Sequence, residues 1–450
     1  MIVFGLDIGT TTVGGVAMDA AAGRPLSSTV WPNRGAEGRP TGEQDPDAIV
    51  RQLEQLVAAL TARHGKPAAI GVSGQMHGIL YVDSSGVAVS PLYTWQDRRG
   101  TLPAGGGETI AGRLSRLSGY KIATGYGLAT HAALASTGEL PPRAKRLCTI
   151  ADYAAMRLAG VEAPATDASN AASLGCFDVE RGDFDRAAIA RAGLDPAWLP
   201  SVRPSAERIG RTKAGAVVCN GIGDNQASVL GAVRDLRGSV LLNVGTGGQM
   251  SVYADEYRPA PGLDVRPFPG GGFLLVGASL AGGKAYAMLE RFFRGALAAF
   301  GGAADRELYD AMERMASAPE DGAAEPPLVR TQFYGTREHP QSRGRIEGIG
   351  PDNFTPAHLV RGFLRGMVEE LYEFYMLLPD ELRRRRASLV GAGNGLRRNL
   401  MLRRCCEERF ALPLALPPFE EEAATGAALH AAVCAGARSG HREARTPPEE

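Results

Sequence analysis

Asp7-Ile8-Gly9-Thr10-Thr11-Thr12 follows the apolar run Ile2 to Leu6 and precedes another, Val13 to Met18, so the segment reads as two β-strands joined by a tight glycine turn. The phrase returns in the second half of the chain as Asn243-Val244-Gly245-Thr246-Gly247-Gly248, between Val240-Leu241-Leu242 and Gln249 to Tyr253. Glycine lets such a turn aim its main-chain N–H groups inward, and flanking hydroxyls add donors, which makes an anion-binding nest. A single turn of this kind is ordinary hairpin punctuation. Its recurrence in both halves, with the Asp7 carboxylate beside the first copy, points to two nests that share the phosphates of one nucleotide. Gly277 to Ala285 does not compete as a Walker loop: its glycine spacing is wrong, and Ala285 lacks the hydroxyl that ligates magnesium.

With 450 residues the chain has room for two domains, each with its own core. Its 49 Lys and Arg offset 49 Asp and Glu, so no net field draws it to nucleic acid or to an anionic membrane. A small neutral or anionic substrate is the expected partner. Met1 leads straight into a strand rather than a signal sequence, and no unbroken apolar run approaches about 18 residues, the least that spans a bilayer. The six cysteines form neither a C-x-x-C pair nor a metal-ligand cluster, which is the pattern of free thiols in a reducing, cytoplasmic setting.

Asp45-Pro46 opens a helix with Ile49, Val50, Leu53, Leu56, Val57 and Leu60 on one face and Gly65 as its stop. Ala68 to Ser73 then reads as a buried strand, and Gly74-Gln75-Met76-His77-Gly78 sits where that strand ends, the place at which open α/β sheets bind ligands. A second long helix is expected from Thr355-Pro356 to about Leu378. It is followed by the strand Ser388-Leu389-Val390 and the loop Gly391-Ala392-Gly393-Asn394-Gly395. These features divide the chain into residues 1–233, residues 234–435 and a polar tail, 436–450, expected to be disordered.

The order of these motifs resembles the FGGY family of carbohydrate kinases from Val3 to about Ala435. The resemblance implies an α/β fold of two actin-like ATPase (ribonuclease H-like) domains flanking a central cleft that holds ATP and a sugar. It assigns Gly9, Thr10, Thr11, Thr12, Gly245 and Thr246 to phosphate binding, and Gly391, Gly393, Asn394 and Asn399 to the adenosine. It places the sugar on Gln75, Met76, His77, Trp95, Asp97 and Asn225, and the catalytic aspartate on Asp224 in Gly221-Ile222-Gly223-Asp224-Asn225-Gln226. Within the family the likeness is greatest to the sedoheptulokinases, through Phe333 to Pro340, the Pro351 to Val368 stretch and Gly391 to Asn399; Gln75-Met76-His77-Gly78 is shared with xylulokinases.

Phosphoryl transfer leaves the protein mainly to align the acceptor hydroxyl and neutralise charge. Asp224 is expected to accept the hydroxyl proton, and Asp7 to help hold Mg²⁺ through water. Asp97 and Arg98 either bond sugar hydroxyls or pair with a neighbour. The expected reaction is transfer from ATP to the terminal hydroxyl of a ketose, sedoheptulose first and a pentulose such as xylulose second. A catalytically silent sugar sensor is the reading of another class, and the presence of both Asp7 and Asp224 speaks against it. The sequence leaves a homodimer open.

Overall fold

Strand β1 (Ile2–Ile8) is buried at Val3, Phe4, Leu6 and Ile8, and takes a central place in a sheet because both of its edges find partners. The computed structural model of the chain describes residues 1–303, 305–318, 324–336, 339 and 341–441, and these form two units. Unit 1 takes in Met1–Arg234, Arg266–Phe273 and the described residues of Glu421–Glu450. Unit 2 takes in Asp235–Val265 and the described residues of Leu274–Glu420. Arg337, Glu338 and Pro340 of the Phe333 to Pro340 stretch lie outside the described residues.

In unit 1, β1 pairs antiparallel with β2 (Thr12–Asp19), which pairs with β3 (Arg24–Pro32), and parallel with β4 (Ala69–Gly74). With β5 (Arg208–Arg211) and β6 (Val217–Cys219) the order is β5-β6-β4-β1-β2-β3, and the short β7 (Ile222–Gly223) also runs parallel to β4. Helix α1 (Pro46–His64) forms as its caps dictate. The Asp45 carboxylate accepts from Asp47 N and Ala48 N, and Gly65 at φ +82° ends it. Its Ile49, Leu53, Leu56 and Leu60 are fully buried in the core that contains Phe4, Leu6 and Ile8.

The C-terminal helix Glu422–Cys434, which the sequence reading placed in the second domain, belongs to unit 1. Helix α2 (Asp224–Ala232) and strands β1 and β4 receive it at near-backbone contact. A Cβ on Gly5 would come within 3.0 Å of Ala424 O and Ala428 N. One on Gly71 would do the same to Ala427 O, and one on Gly426 to Ala227 O. Glycine on the sheet and alanine on the helix therefore let main chains meet where side chains would hold them apart. The tail expected to be disordered from residue 436 is packed as far as His441. That ring is 4% exposed and lies 2.8 Å from His430 through their nitrogens, while Arg438 Nε donates to Ala20 O at 3.0 Å. Residues 442–450 lie outside the described residues.

Unit 2 repeats the hairpin: β8 (Ser239–Val244) pairs antiparallel with β9 (Gly248–Ala254). With β10 (Phe273–Ser279), β11 (Ser388–Ala392) and β12 (Leu414–Ala415) the order is β10-β9-β8-β11-β12. Helices α3 (Gly282–Ala299), α4 (Pro356–Met376) and α5 (Leu400–Phe410) accompany this sheet. Thr355 caps α4, and Val360, Phe363, Leu364, Met367, Val368 and Leu371 form its buried stripe in a core with Val240, Leu242 and Leu275.

Candidate active site

Parallel pairing puts three strand ends of unit 1 level. Asp7 on β1 stands opposite Ser73 on β4, and Ser73 stands opposite Ile222 on β7, two residues before Asp224. The carboxyl edge of the sheet thus gathers Asp7, Ser73, Gln75 and Asp224, as the sequence reading anticipated for a ligand-binding edge. Ser73 Oγ donates to Asp7 Oδ1 at 2.6 Å. Burial pushes the Asp7 carboxyl above its ordinary range against that bond. Burial first, and the negative charge of Asp7 second, push Asp224 up to about 7. One Asp224 oxygen accepts from Asn225 N at 2.7 Å, a local cap, and the other has no partner among the described residues.

Arg266 completes this group, and no sequence signal marks it: it is a single arginine between Val265 and Pro267. Its guanidinium, more than nine-tenths buried, donates to Asn225 Oδ1 at 3.1 Å, and its charge opposes the rise in Asp224.

The residues expected to meet the sugar fall into two kinds. Met76 is buried at the strand end beside Gly223. His77 has φ +74°, and its ring is fixed by Ser173 O at 2.8 Å from Nδ1 and by Tyr126, stacked at 4.6 Å. Trp95 is 47% exposed and donates through Nε1 to Thr10 Oγ1 at 3.0 Å. Asp97 takes the second of its two expected arrangements, pairing with a neighbour. It is buried, and its carboxylate is occupied by an ion pair with Arg99, by Arg99 N at 2.9 Å and by Thr130 Oγ1 at 3.4 Å. It therefore shapes the loop that carries Trp95, and its arginine is the next-but-one residue rather than Arg98.

In the first turn Gly9 N donates to Thr12 O at 2.9 Å, and Asn33 Nδ2 to Gly9 O at 2.8 Å. Thr11 and Thr12 are exposed, whereas the Thr10 hydroxyl is engaged inside unit 1 by Trp95 and Gln75.

The second turn borders a cavity of ≈ 600 Å³ lined by Gly245, Thr246, Gly283, Lys284, Tyr286, Asn394, Gly395, Arg398 and Asn399, with Tyr309 among the remaining wall residues. Gly283 N donates to Gly245 O at 2.9 Å and Lys284 N to Thr246 O at 3.0 Å, which fastens the start of α3 to the turn. A Cβ on Gly282 or Gly283 would strike the turn's main chain. The segment discounted as a Walker loop thus reaches the cavity by another geometry, and brings Lys284 with it. Asn399 caps α5 by accepting from Leu402 N at 2.8 Å. Gly391 and Gly393 act from behind: a Cβ on the first would meet Leu414 and Leu416, and one on the second would crowd Asn243 and Val244.

These residues suit the groups that the sequence reading calls for. The cavity lining sets Lys284 and Arg398 against Glu307, Asp310 and Glu313, and Tyr286 Oη is buried in the wall beside Asn399, so polar and cationic groups of the kind a nucleotide needs are present within a lining of mixed charge. The charge of Asp7 raises the proton affinity of Asp224, and the two carboxyls form an oxygen-donor pair that a hard divalent cation would relieve. No helix among the described residues is long and apolar enough to cross a membrane.

Residues 2–241 match the N-terminal domain of the FGGY family of carbohydrate kinases, and residues 240–435 its C-terminal domain. Sedoheptulokinase of Mus musculus is 28% identical over 95% of this chain and 96% of its own length. A xylulose kinase of Streptomyces rubiginosus is 31% identical, but over 58% of this chain and 55% of its own. Among solved structures, a protein of Brucella ovis described as a xyloylose kinase superposes with a TM-score of 0.84 at 20% identity, covering 100% of this chain and 93% of that one. The fold is the two-domain, actin-like α/β fold of these sugar kinases.

Proposed function

Because the chain belongs to the FGGY family of carbohydrate kinases, we propose that it transfers the γ-phosphoryl group of ATP to the terminal hydroxyl of a ketose, sedoheptulose, giving sedoheptulose 7-phosphate. The observation that carries the transfer reading is Asp224: a carboxylate at a strand end, one oxygen uncommitted, its proton affinity set near neutrality. Such a group takes the hydroxyl proton as the oxygen attacks phosphorus, and ADP leaves with the bonding electrons of the broken P–O bond.

Magnesium-bound ATP supplies the electrophilic phosphorus, and Asp7, braced by Ser73, is the residue that would hold the ion through its water shell. Thr11 and Thr12 present donors on unit 1; Gly245, Thr246 and Lys284 present them on unit 2. Asn394 and Asn399 take the adenosine end of the cavity. Met76, the fixed His77 ring, Trp95 and Asn225 orient the sugar, and Arg266 keeps Asn225 aimed.

Likeness along 95% of the chain favours sedoheptulose; the xylulose kinase likeness is slightly higher in identity but covers little more than half. An ADP-release assay across sedoheptulose, xylulose, ribulose, gluconate and glycerol tests this. The highest kcat/KM is expected with sedoheptulose, and a preference for a pentulose would displace that substrate while keeping the kinase.

The pH dependence has a definite sign. The base works only as a carboxylate, so with Asp224 at about 7 in the free enzyme, kcat/KM for the sugar falls about tenfold per unit as pH drops below that value and levels off above it. Rates measured from pH 5.5 to 8.5 check this; a profile flat down to the acid end would exclude Asp224 as the base.

A further inference from the structure

Thr10 belongs to two networks at once. Its hydroxyl oxygen accepts from Trp95 Nε1 at 3.0 Å and donates its proton to Gln75 Oε1 at 3.2 Å. Gln75 Nε2 donates to Gln44 Oε1 at 2.9 Å, and Gln44 Nε2 donates back to the Thr10 carbonyl at 2.8 Å. The donors of this ring all run one way, from the Thr10 side chain through two amides to the Thr10 main chain. A hydroxyl owns one hydrogen, so while the ring stands Thr10 Oγ1 cannot also donate to a phosphate.

Gln44 is placed for this by its neighbours on both sides. It pairs with Leu92 in the short ladder Glu43–Gln44 against Leu92–Tyr93, three residues before Trp95, and the next residue, Asp45, is the cap of α1. Gln44 and Gln75 are 3% and 2% exposed, so neither amide has water to replace a lost partner. Trp95, at 47%, is the member open to a ligand.

We infer that Gln44 is a positioning residue for phosphoryl transfer, one that acts through Gln75 to lock Thr10 as an internal strut between the first phosphate turn and the Trp95 loop. The inference rests on the kinase reading above and extends it to a residue far from either motif in sequence. One buried amide thereby sets the attitude of the turn that meets the nucleotide and of the indole that meets the sugar. Loss of the ring loosens both, so both substrates register it.

The test is a double-mutant cycle read by steady-state kinetics. Gln44→Leu is expected to lower kcat/KM about ten- to a hundredfold for sugar and for ATP alike, the range that a small misplacement of the turn and the indole produces. Thr10→Val, at a position with access to solvent, keeps the test open if the Gln44 variant folds poorly, and is expected to show a loss of the same size for sugar and for nucleotide. Combining the two substitutions costs no more than the worse single one if they break one ring. Additive losses would mean that the Thr10 hydroxyl acts on phosphate independently of Gln44, and would overturn the inference. A Gln44→Leu protein with a lowered melting temperature but wild-type kinetics would overturn it as well. Failure of the wild-type protein to phosphorylate any ketose would instead remove the kinase reading itself.

Discussion

Asp224→Asn lowers kcat by about 10²- to 10⁴-fold, the span that general-base removal produces, while the dissociation constant of the sugar changes by no more than a few-fold. Asparagine keeps the shape of the side chain and the oxygen that accepts from Asn225 N. It lacks the second carboxylate oxygen, the one without a partner, and with it the capacity to take a proton. Asn225, held by Arg266, keeps its place, so the sugar still finds its orienting amide. ADP-release kinetics together with calorimetric titration of the sugar separate the two quantities. Equal loss of turnover and of sugar affinity would make Asp224 a binding residue rather than the base.

Gly5→Ala is expected to be the most damaging single-methyl change in unit 1. The added carbon would lie within 3.0 Å of Ala424 O and Ala428 N, both main-chain atoms of the C-terminal helix, so no rotamer change relieves it. The helix would have to lift from β1, and its contacts at Gly71 and Gly426 would open with it. Overpacking of this kind costs about 3 kcal/mol or more. In a unit of this size that lowers the melting temperature by about 6–12 °C. Gly295→Ala is the matching control: it lies inside α3, and nothing stands within 4 Å of its new methyl group. There the helix gains about 0.5–1 kcal/mol from alanine's better propensity. Thermal unfolding of both variants decides the matter; a Gly5→Ala protein melting within about 2 °C of the parent would show that the helix does not rest on the sheet as closely as described.

What could be read beforehand was local. The two glycine–threonine turns, the Asp45 and Thr355 caps and the strand ending at Gln75 depend on residues adjacent in sequence, whose side-chain chemistry already limits the backbone. Asp224 was legible through the resemblance to the family, because a carboxylate in a glycine turn taken by itself reads as a cap on its own backbone. Gln44, Arg266 and Lys284 were not, because each gains its meaning from a partner brought near by folding: Gln75 and Thr10, Asn225, and the second turn. The part played by Asp97 depended on which of two adjacent arginines turns toward it, and only Arg99 does. The C-terminal helix escaped assignment because Glu422–Cys434 is rich in alanine and other small residues and buried nearly all round, so it carries no stripe to say which neighbour it wants.

Unit 1 is thus assembled from the first and last parts of the polypeptide together with the short segment Arg266–Phe273. During synthesis the strands up to Arg234 leave the ribosome long before Glu422–Cys434 exists, and until then the glycine faces of β1 and β4 have nothing to cover them. Unit 2 has all its residues by Glu420 and is free to fold first. Unit 2 is therefore complete in sequence before unit 1, although unit 1 begins to emerge first. A nascent chain arrested before residue 422 would hold every residue that lines the cavity of unit 2, while the bed that carries Asp224 in unit 1 would still lack its last helix.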